Sequence, residues 1–337
     1  MEVIRGWSHR PFPMTDASCV GEARRFCARV VEEWGWSDVD AGRLSIITTE
    51  LGTNLVRHAA QGQLWIAFQP EWQEVEIIAL DKGPGMVDVQ RCSQDGVSTG
   101  AGSPGTGLGA IRRMANAFDI HSTPQGTVCL VRVRAAGQAA IARRWGAVSI
   151  PAPGETVCGD GWAVALDANR MSAVLADGLG HGPHAALAAD GTLDVFAADP
   201  FAPLDIFVKD AHTGLQTTRG AAVFALRMDG TSPQLQYAGA GNVMGRVVSG
   251  VFDRSMVTQH GTVGVQVRKA EIALQHLPEH TLAIVHSDGI ASRWKSDEVV
   301  PMLQRDATLI AAALLWSQTR GRDDATVLVI KQGDTLD

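Results

Sequence analysis

Between residues 48 and 59 the chain reads TTELGTNLVRHA, which spaces Glu50, Asn54 and His58 four residues apart. On a helix such residues stack along one side, beside an apolar set made of Ile46, Ile47, Leu51 and Leu55. A carboxylate placed there can take a proton from a hydroxyl that attacks a γ-phosphate. An amide oxygen one turn further on is a hard ligand suited to Mg²⁺. Two other segments supply what a nucleotide site would need. DKGPGM at 81–86 ends an apolar run with Asp81 and a Gly-Pro-Gly turn, and GTGLG at 105–109 opens a helical pattern. Glycines at a helix start let backbone N–H groups reach an anion at the positive end of the helix dipole. An Asp at a strand end can accept from an exocyclic amine such as that of adenine. Each piece alone reads as a loop or a solvated stripe; their order and spacing carry the weight. His58 reads as a packed or surface histidine, and Arg112 and Arg113 have no assigned role.

A second constellation occupies the C-terminal half. Asp160 sits in CGDGWAV, Asp177 in VLADGLGHG, Asp288 in VHSDGI, and Asp323 with Asp324 in GRDDATVLVI. Any one of them is an ordinary turn-former. Four such places at the mouths of apolar strands make a gathered cluster the better reading. Clustered carboxylates repel unless cations neutralise them, and two divalent ions bridged by one Asp can activate water for in-line attack on a phosphate. His181 reads as a helix-start histidine, with a general-acid role as the sharper possibility. Gly220, Gly241 and Asn242 read as packing and turn residues.

The elements that position these residues follow from periodicity. Helices are expected at about 16–34 (capped by Asp16 or Ser18), 40–60 and 107–117. Strands are expected at QLWIAFQ, EVEIIALD, FDIHS and GTVCLVRVR, with a long Gly-, Ser- and Asp-rich segment from Lys82 to Thr106 between them. Beyond a joint at 136–145 come strands at GAVSIP, GWAVALD and RMSAVLAD, and a helix in HGPHAALAADGTLDVF. Strands at GAAVFALRMDG, PQLQYAGAG, NVMGRVVSG, TLAIVHSDG and ATVLVIK, with a helix near 306–317, complete the chain.

At 337 residues the chain exceeds what one core usually serves, so two domains are expected, 1–139 and 140–337. A composition of 45% hydrophobic and 19% charged residues is that of a soluble globular protein. A formal charge of −7 without a basic run argues against nucleic-acid binding. The opening MEVIRGWSHRPFPM lacks a signal-peptide core, and no apolar run reaches membrane-spanning length. Five cysteines without a C-x-x-C pair read as free thiols of a reducing cytosol, so a cytoplasmic protein is expected.

The helix with Glu50 and Asn54, DKGPGM and GTGLG together resemble the N, G1 and G2 boxes of the GHKL (Bergerat-fold, HATPase) ATPases. More narrowly, DKGPGM, QDGVSTG and GTGLGAIRRMANAFDI resemble the RsbT/RsbW serine-protein kinases that act on STAS-domain regulators. The resemblance implies ATP and Mg²⁺, with Asn54 as Mg²⁺ ligand and Glu50 as base. It places Asp81, Gly83, Gly85 and Thr127 on the adenine side and Gly105, Gly107, Leu108 and Gly109 at the phosphates. CGD, ADGLG, RGA, GN, SDG and RDDAT resemble the SpoIIE-type branch of the PPM (protein phosphatase 2C-like) Ser/Thr phosphatases, as in RsbX. That implies two Mn²⁺ or Mg²⁺ ions. One would be held by Asp160, Asp177 and the carbonyl of Gly178, the other by Asp177, Asp288 and Asp323, with Asp324 the weaker candidate.

The fold so implied is a two-domain α/β (α+β) chain, a GHKL α/β sandwich followed by a PPM αββα sandwich. The implied function is a bifunctional switch. An N-terminal kinase would phosphorylate Ser or Thr on STAS-domain proteins of the RsbS/RsbR stressosome type, and a C-terminal phosphatase would remove the phosphate. The alternative is a nucleotide-dependent binding module for a sigma factor or a sigma-pathway phosphatase, with catalysis confined to the phosphatase half. Hydrolysis of small phosphate esters is a third reading with little in the sequence behind it.

Overall fold

The computed structural model describes residues 1–86, 89, 107–139, 143–230 and 232–332. QDGVSTG and Gly105 lie outside the described residues. The chain divides into two compact units, residues 9–141 and residues 1–8 with 142–337. The first eight residues thus belong with the C-terminal unit, where the sequence reading had put them with the N-terminal one. The reason is strand β1 (Glu2–Arg5), which pairs antiparallel with β8 (Asp160–Asp167).

The unit of residues 9–141 is an antiparallel sheet with helices on one face. Strands β2 (Arg10–Pro13), β3 (Gln63–Gln69), β4 (Glu74–Asp81), β5 (Ala117–Thr123) and β6 (Gly126–Arg134) lie in the order β2-β3-β4-β6-β5. β2 carries Pro11 and Pro13, which cannot donate to a ladder and are tolerated because it is an edge strand. Alternate residues of the central strands, Leu64 and Ile66, Val75 and Ile77, Val131 and Val133, are buried in one core with the helices. Helix α1 (Ala17–Glu33) contributes Val20, Ala23, Cys27 and Val31 to that core. Its N-cap is Asp16, whose Oδ1 accepts from the Ser18 N–H at 2.7 Å. Helix α2 (Asp38–His58), capped by Ser37, contributes Leu44, Ile47, Leu51 and Leu55. Ile46, read as one of this set, is half exposed. Helix α3 (Gly107–Met114) buries Gly109 and Ile111.

The other unit is two sheets with helices outside them. β1, β8, β9 (Arg170–Gly178), β10 (Ala221–Asp229), β11 (Gln234–Ala240) and β16 (Ala273–His276) lie in that order in one sheet. In the second the order is β13 (Asp253–Met256), β12 (Met244–Val248), β17 (Thr281–His286), β18 (Ala325–Gln332), β7 (Trp145–Ile150). A two-stranded ribbon, β14 (Gly261–Thr262) and β15 (Gln266–Val267), lies against β10, to which Val263 bridges at Ala221.

Helices α4 (Pro183–Ala198) and α5 (Leu204–Gly214) cover the first sheet. The strands present alanines to them (Ala163, Ala165, Ala176), so the helix axes can come close. Helix α6 (Ala307–Gln318), apolar nearly all round, packs on β7 and β18 of the second sheet. Trp7, Trp145 and Trp162 meet with ring centroids 4.9 to 6.0 Å apart and close one end of this core. The layers are therefore helix, sheet, sheet, helix, as expected for the αββα class.

Candidate active sites

In the smaller unit the site is built where α2, the end of β4 and the start of α3 converge. Glu50 and Asn54 are half-buried on α2. Gly107 opens α3 against them: a Cβ at that position would stand 3.2 Å from Glu50 Oε2 and 3.6 and 3.9 Å from the amide N and O of Asn54. A side chain at 107 would crowd Glu50 and Asn54, so glycine leaves room for the helix start beside a carboxylate and an amide. Leu108 packs half-buried against the core and Gly109 is buried, which seats the first turn of α3.

Asp81 ends β4, and its Oδ1 accepts from the Gly83 N–H at 2.7 Å. Burial raises its pKa, opposed by the backbone N–H groups of Gly83 and Thr127. Thr127 lies directly across the ladder from Asp81, and its hydroxyl is 2.8 Å from that of Ser122. Ser122 Oγ in turn accepts from the Met86 N–H at 2.8 Å. Gly85 has φ +69°, and a Cβ there would run into the Thr123 carbonyl. The carboxylate of Asp81 at the end of β4 and the close-packed Gly85 and Gly107 are the kinds of groups a nucleotide site uses. His58 is exposed in the last turn of α2.

In the larger unit the topology gathers the aspartates. β8 begins with Asp160 and β9 ends with Asp177 and Gly178; the strands are antiparallel and Asp160 and Asp177 are direct partners. In the other sheet Asp288 lies two residues beyond β17, and Asp323 and Asp324 just precede β18, again an antiparallel pair. An exit and an entry from each sheet bring the carboxylates to one end of the sandwich. The Asp288 N–H lies 3.5 Å from Asp177 Oδ2, and Asn242 Nδ2 donates to Asp288 Oδ2 at 2.5 Å. Asn242, read from sequence as a turn residue only, thus holds a carboxylate of the cluster.

The carboxylates are raised first by burial and then by one another. Asp177 is pushed up to about 7 by burial first, then by Asp288, Asp323 and Asp324. Asp160 is raised well above the carboxylate range by burial and by Asp177, against hydrogen bonds from Ser287 and Thr326. Asp288 and Asp324 are raised by burial and by Asp323. Asp324 Oδ1 accepts from the Ala152 N–H at 2.8 Å. Among the described residues the buried Oδ2 atoms of Asp160 and Asp324 have no hydrogen-bond partner. Buried carboxylate oxygens without donors are costly unless a cation takes their place, so the donor set fits divalent metal. No three of these side chains close on a single point as they stand among the described residues. An ion would have to draw them inward. Asp323 is exposed, with Oδ1 accepting from the Asp324 N–H at 2.9 Å. His181 is exposed and paired with Glu155 at 2.7 Å.

Two residues of this neighbourhood escaped sequence reading. Buried His286 accepts at Nε2 from the Trp294 indole N–H at 3.2 Å and donates from Nδ1 to the Ser287 carbonyl at 2.9 Å. A donor on one side and an acceptor on the other hold the ring neutral, and burial lowers its pKa. The pair braces the turn that carries Ser287 and Asp288.

Residues 12–133 match the family described as "Histidine kinase-like ATPase domain". The serine/threonine-protein kinase RsbT of Bacillus subtilis (strain 168) is 33% identical over 119 residues, 32% of this chain and 89% of RsbT. The chain belongs to the RsbT family. A solved chain from the bacterial stressosome, described as a modular system adapted to control secondary messenger signaling, is 26% identical with a TM-score of 0.53. It covers 56% of this chain and 98% of its own length. That share is more than the RsbT-like unit can supply, so the likeness extends into the second unit. RsbX in complex with magnesium is a further similar structure, 19% identical over 54% of this chain and 92% of its own, with a TM-score of 0.49. No helix among the described residues is long and apolar enough to cross a membrane.

Proposed function

We propose that this RsbT-family protein sets the phosphorylation state of a STAS-domain signalling protein from both directions. The observation that carries the reading is the pairing of two sites in one chain. One is a glycine-opened helix start against Glu50 and Asn54; the other is a gathered set of aspartates with orphaned oxygens. The first suits phosphate transfer from ATP, the second phosphate removal.

In the kinase half, ATP would lie with its adenine toward Asp81 and Thr127 and its phosphates at the start of α3, with Asn54 holding Mg²⁺. The substrate's Ser or Thr oxygen bonds to the γ-phosphorus as the bond to the ADP oxygen breaks, and Glu50 takes the hydroxyl proton. In the phosphatase half, Asp160, Asp177, Gly178, Asp288 and Asp323 would hold two Mn²⁺ or Mg²⁺ ions, with Asp324, whose buried Oδ2 has no hydrogen-bond partner among the described residues, as the further candidate. When bound, these would supply Lewis-acid activation of water. The chain's own part is positional: Ser287 and Thr326 orient Asp160, Asn242 orients Asp288, and Trp294 with His286 fixes the turn beneath.

The test is phosphotransfer from γ-labelled ATP to a purified STAS-domain protein, with wild type and the Asp177→Asn and Glu50→Gln variants side by side. Label accumulating with Asp177→Asn, stripped again by wild type and absent with Glu50→Gln, is the expected result. Equal labelling by wild type and Asp177→Asn would remove the resetting role.

A further inference from the structure

The larger unit holds a second concavity that neither proposed reaction uses. It is a cleft of about 420 Å³ between α5 and the segment that follows β15. That volume lies within the range of ligand-sized pockets. Its floor is apolar, with Val208, Val267 and Ala270. Exposed Lys209, Arg268 and Lys269 form its rim, against one lining carboxylate, Asp205. None of the three cations has an ion-pair partner among the described residues. His212 lines the cleft too. Its Nδ1 accepts from the Gly264 N–H at 2.9 Å, so its neutral ring carries the proton on Nε2 and offers a donor. A chain of net charge −7 thus concentrates donors and positive charge at one place.

The cleft is built rather than incidental. Gln259 Nε2 donates to the Arg268 carbonyl at 2.9 Å and closes the loop that carries the basic rim. Val263 exchanges two backbone hydrogen bonds of 2.9 Å with Ala221, and Ala221 is the partner of Gly178 in the next strand. Val263 is therefore about 10 Å, two strand spacings, from Gly178 beside Asp177. Val263 lies four residues before Val267 of the cleft lining, so the segment that leads into the cleft is hydrogen-bonded to the strand next to the one that ends at Asp177 and Gly178.

We infer that the cleft formed by α5 and residues 267–270 docks an acidic, partly apolar peptide segment of the protein whose phosphoryl group enters the aspartate cluster. The inference rests on the phosphatase reading for its purpose but not for its test. Cations over an apolar floor suit alternating acidic and apolar side chains. Binding there would supply the substrate selectivity that an aspartate cluster, which repels acidic sequences, cannot supply itself.

The experiment uses the full chain and a fluorescein-labelled, unphosphorylated peptide alternating Asp with Val, followed by anisotropy. A Lys209→Glu, Arg268→Glu, Lys269→Glu triple variant should weaken binding at least tenfold, and an Asn-for-Asp peptide should bind wild type as weakly. The three side chains are exposed, so an unchanged melting curve for the triple variant is expected. Equal binding by wild type and variant, equal binding of the Asn peptide, or displacement by inorganic phosphate alone overturns the proposal. Turnover of p-nitrophenyl phosphate with Mn²⁺ should be the same in both proteins. Its loss in the triple variant alone would also overturn the proposal, because the cations would then act on the reacting group. Wild type without any turnover would count against the phosphatase reading only, since peptide binding is read without hydrolysis.

Discussion

Asp177→Asn should make the metal-free protein more stable while abolishing whatever the aspartate cluster does. Asp177 is pushed up to about 7 from 3.8 because burial and three neighbouring carboxylates disfavour its charge. A raised folded pKa means that the folded state holds the proton more tightly than the unfolded chain. Its favourable contribution is complete below pH 3.8 and is lost as pH rises through about 7. Roughly three pH units at 1.36 kcal/mol each set a ceiling of about 4 kcal/mol against the wild-type unit at pH 8. In the wild type the neighbouring carboxylates also hold protons more tightly and relieve part of the repulsion, so about 2 kcal/mol is the working figure, or a rise of roughly 4–8 °C in Tm. The assay is thermal unfolding in EDTA from pH 4 to pH 8, wild type against Asp177→Asn. The gap should be smallest at pH 4 and widest at pH 8. Adding Mn²⁺ should raise the wild-type Tm and leave the variant nearly unmoved. A variant that melts at or below the wild-type temperature at pH 8, or a gap independent of pH, would show that this carboxylate is not strained by its neighbours.

Three further expectations follow from single contacts. Gly107→Ala places a methyl 3.2 Å from Glu50 Oε2. Phosphotransfer should fall by roughly ten- to a hundredfold, with stability changed by less than about 1 kcal/mol since Ala suits a helix better; an unaltered rate would detach α3 from the site. Gly85→Ala meets both a φ of +69° and the Thr123 carbonyl, so urea unfolding of the smaller unit should show a loss of about 1–3 kcal/mol together with weaker ATP binding. Trp294→Phe leaves buried His286 Nε2 without its donor, a cost of about 1–2 kcal/mol measurable by denaturant melts. If the metal affinity read by calorimetry stays at the wild-type value, the brace does not position Asp288.

Much of this molecule is local information. The spacing of Leu44, Ile47, Leu51 and Leu55 sets which side of α2 is buried, and so where Glu50 and Asn54 point. The apolar runs before Asp177 and after Asp324 mark strands whose mouths are acidic. Because β-strand neighbours are antiparallel, those mouths were candidates to meet.

What the sequence could not decide is what depends on distant partners. EVIR is as good a strand for either unit; pairing of Glu2 with Leu166 is settled only by which sheet has an open edge. Glu76, buried in the same strand as Glu74, is acceptable because Arg132 lies directly across the ladder with Nε 2.6 Å from its carboxylate, and His9 lies 3.1 Å away. Asn242 reads as a turn until Asp288 is brought to it, and His286 reads as an ordinary strand histidine until Trp294 donates to it. Periodicity and motif spacing are properties of neighbours along the chain, and they marked the elements and the candidate site side chains. The partners that hold those side chains are far away in sequence, and only the packed sheets select them.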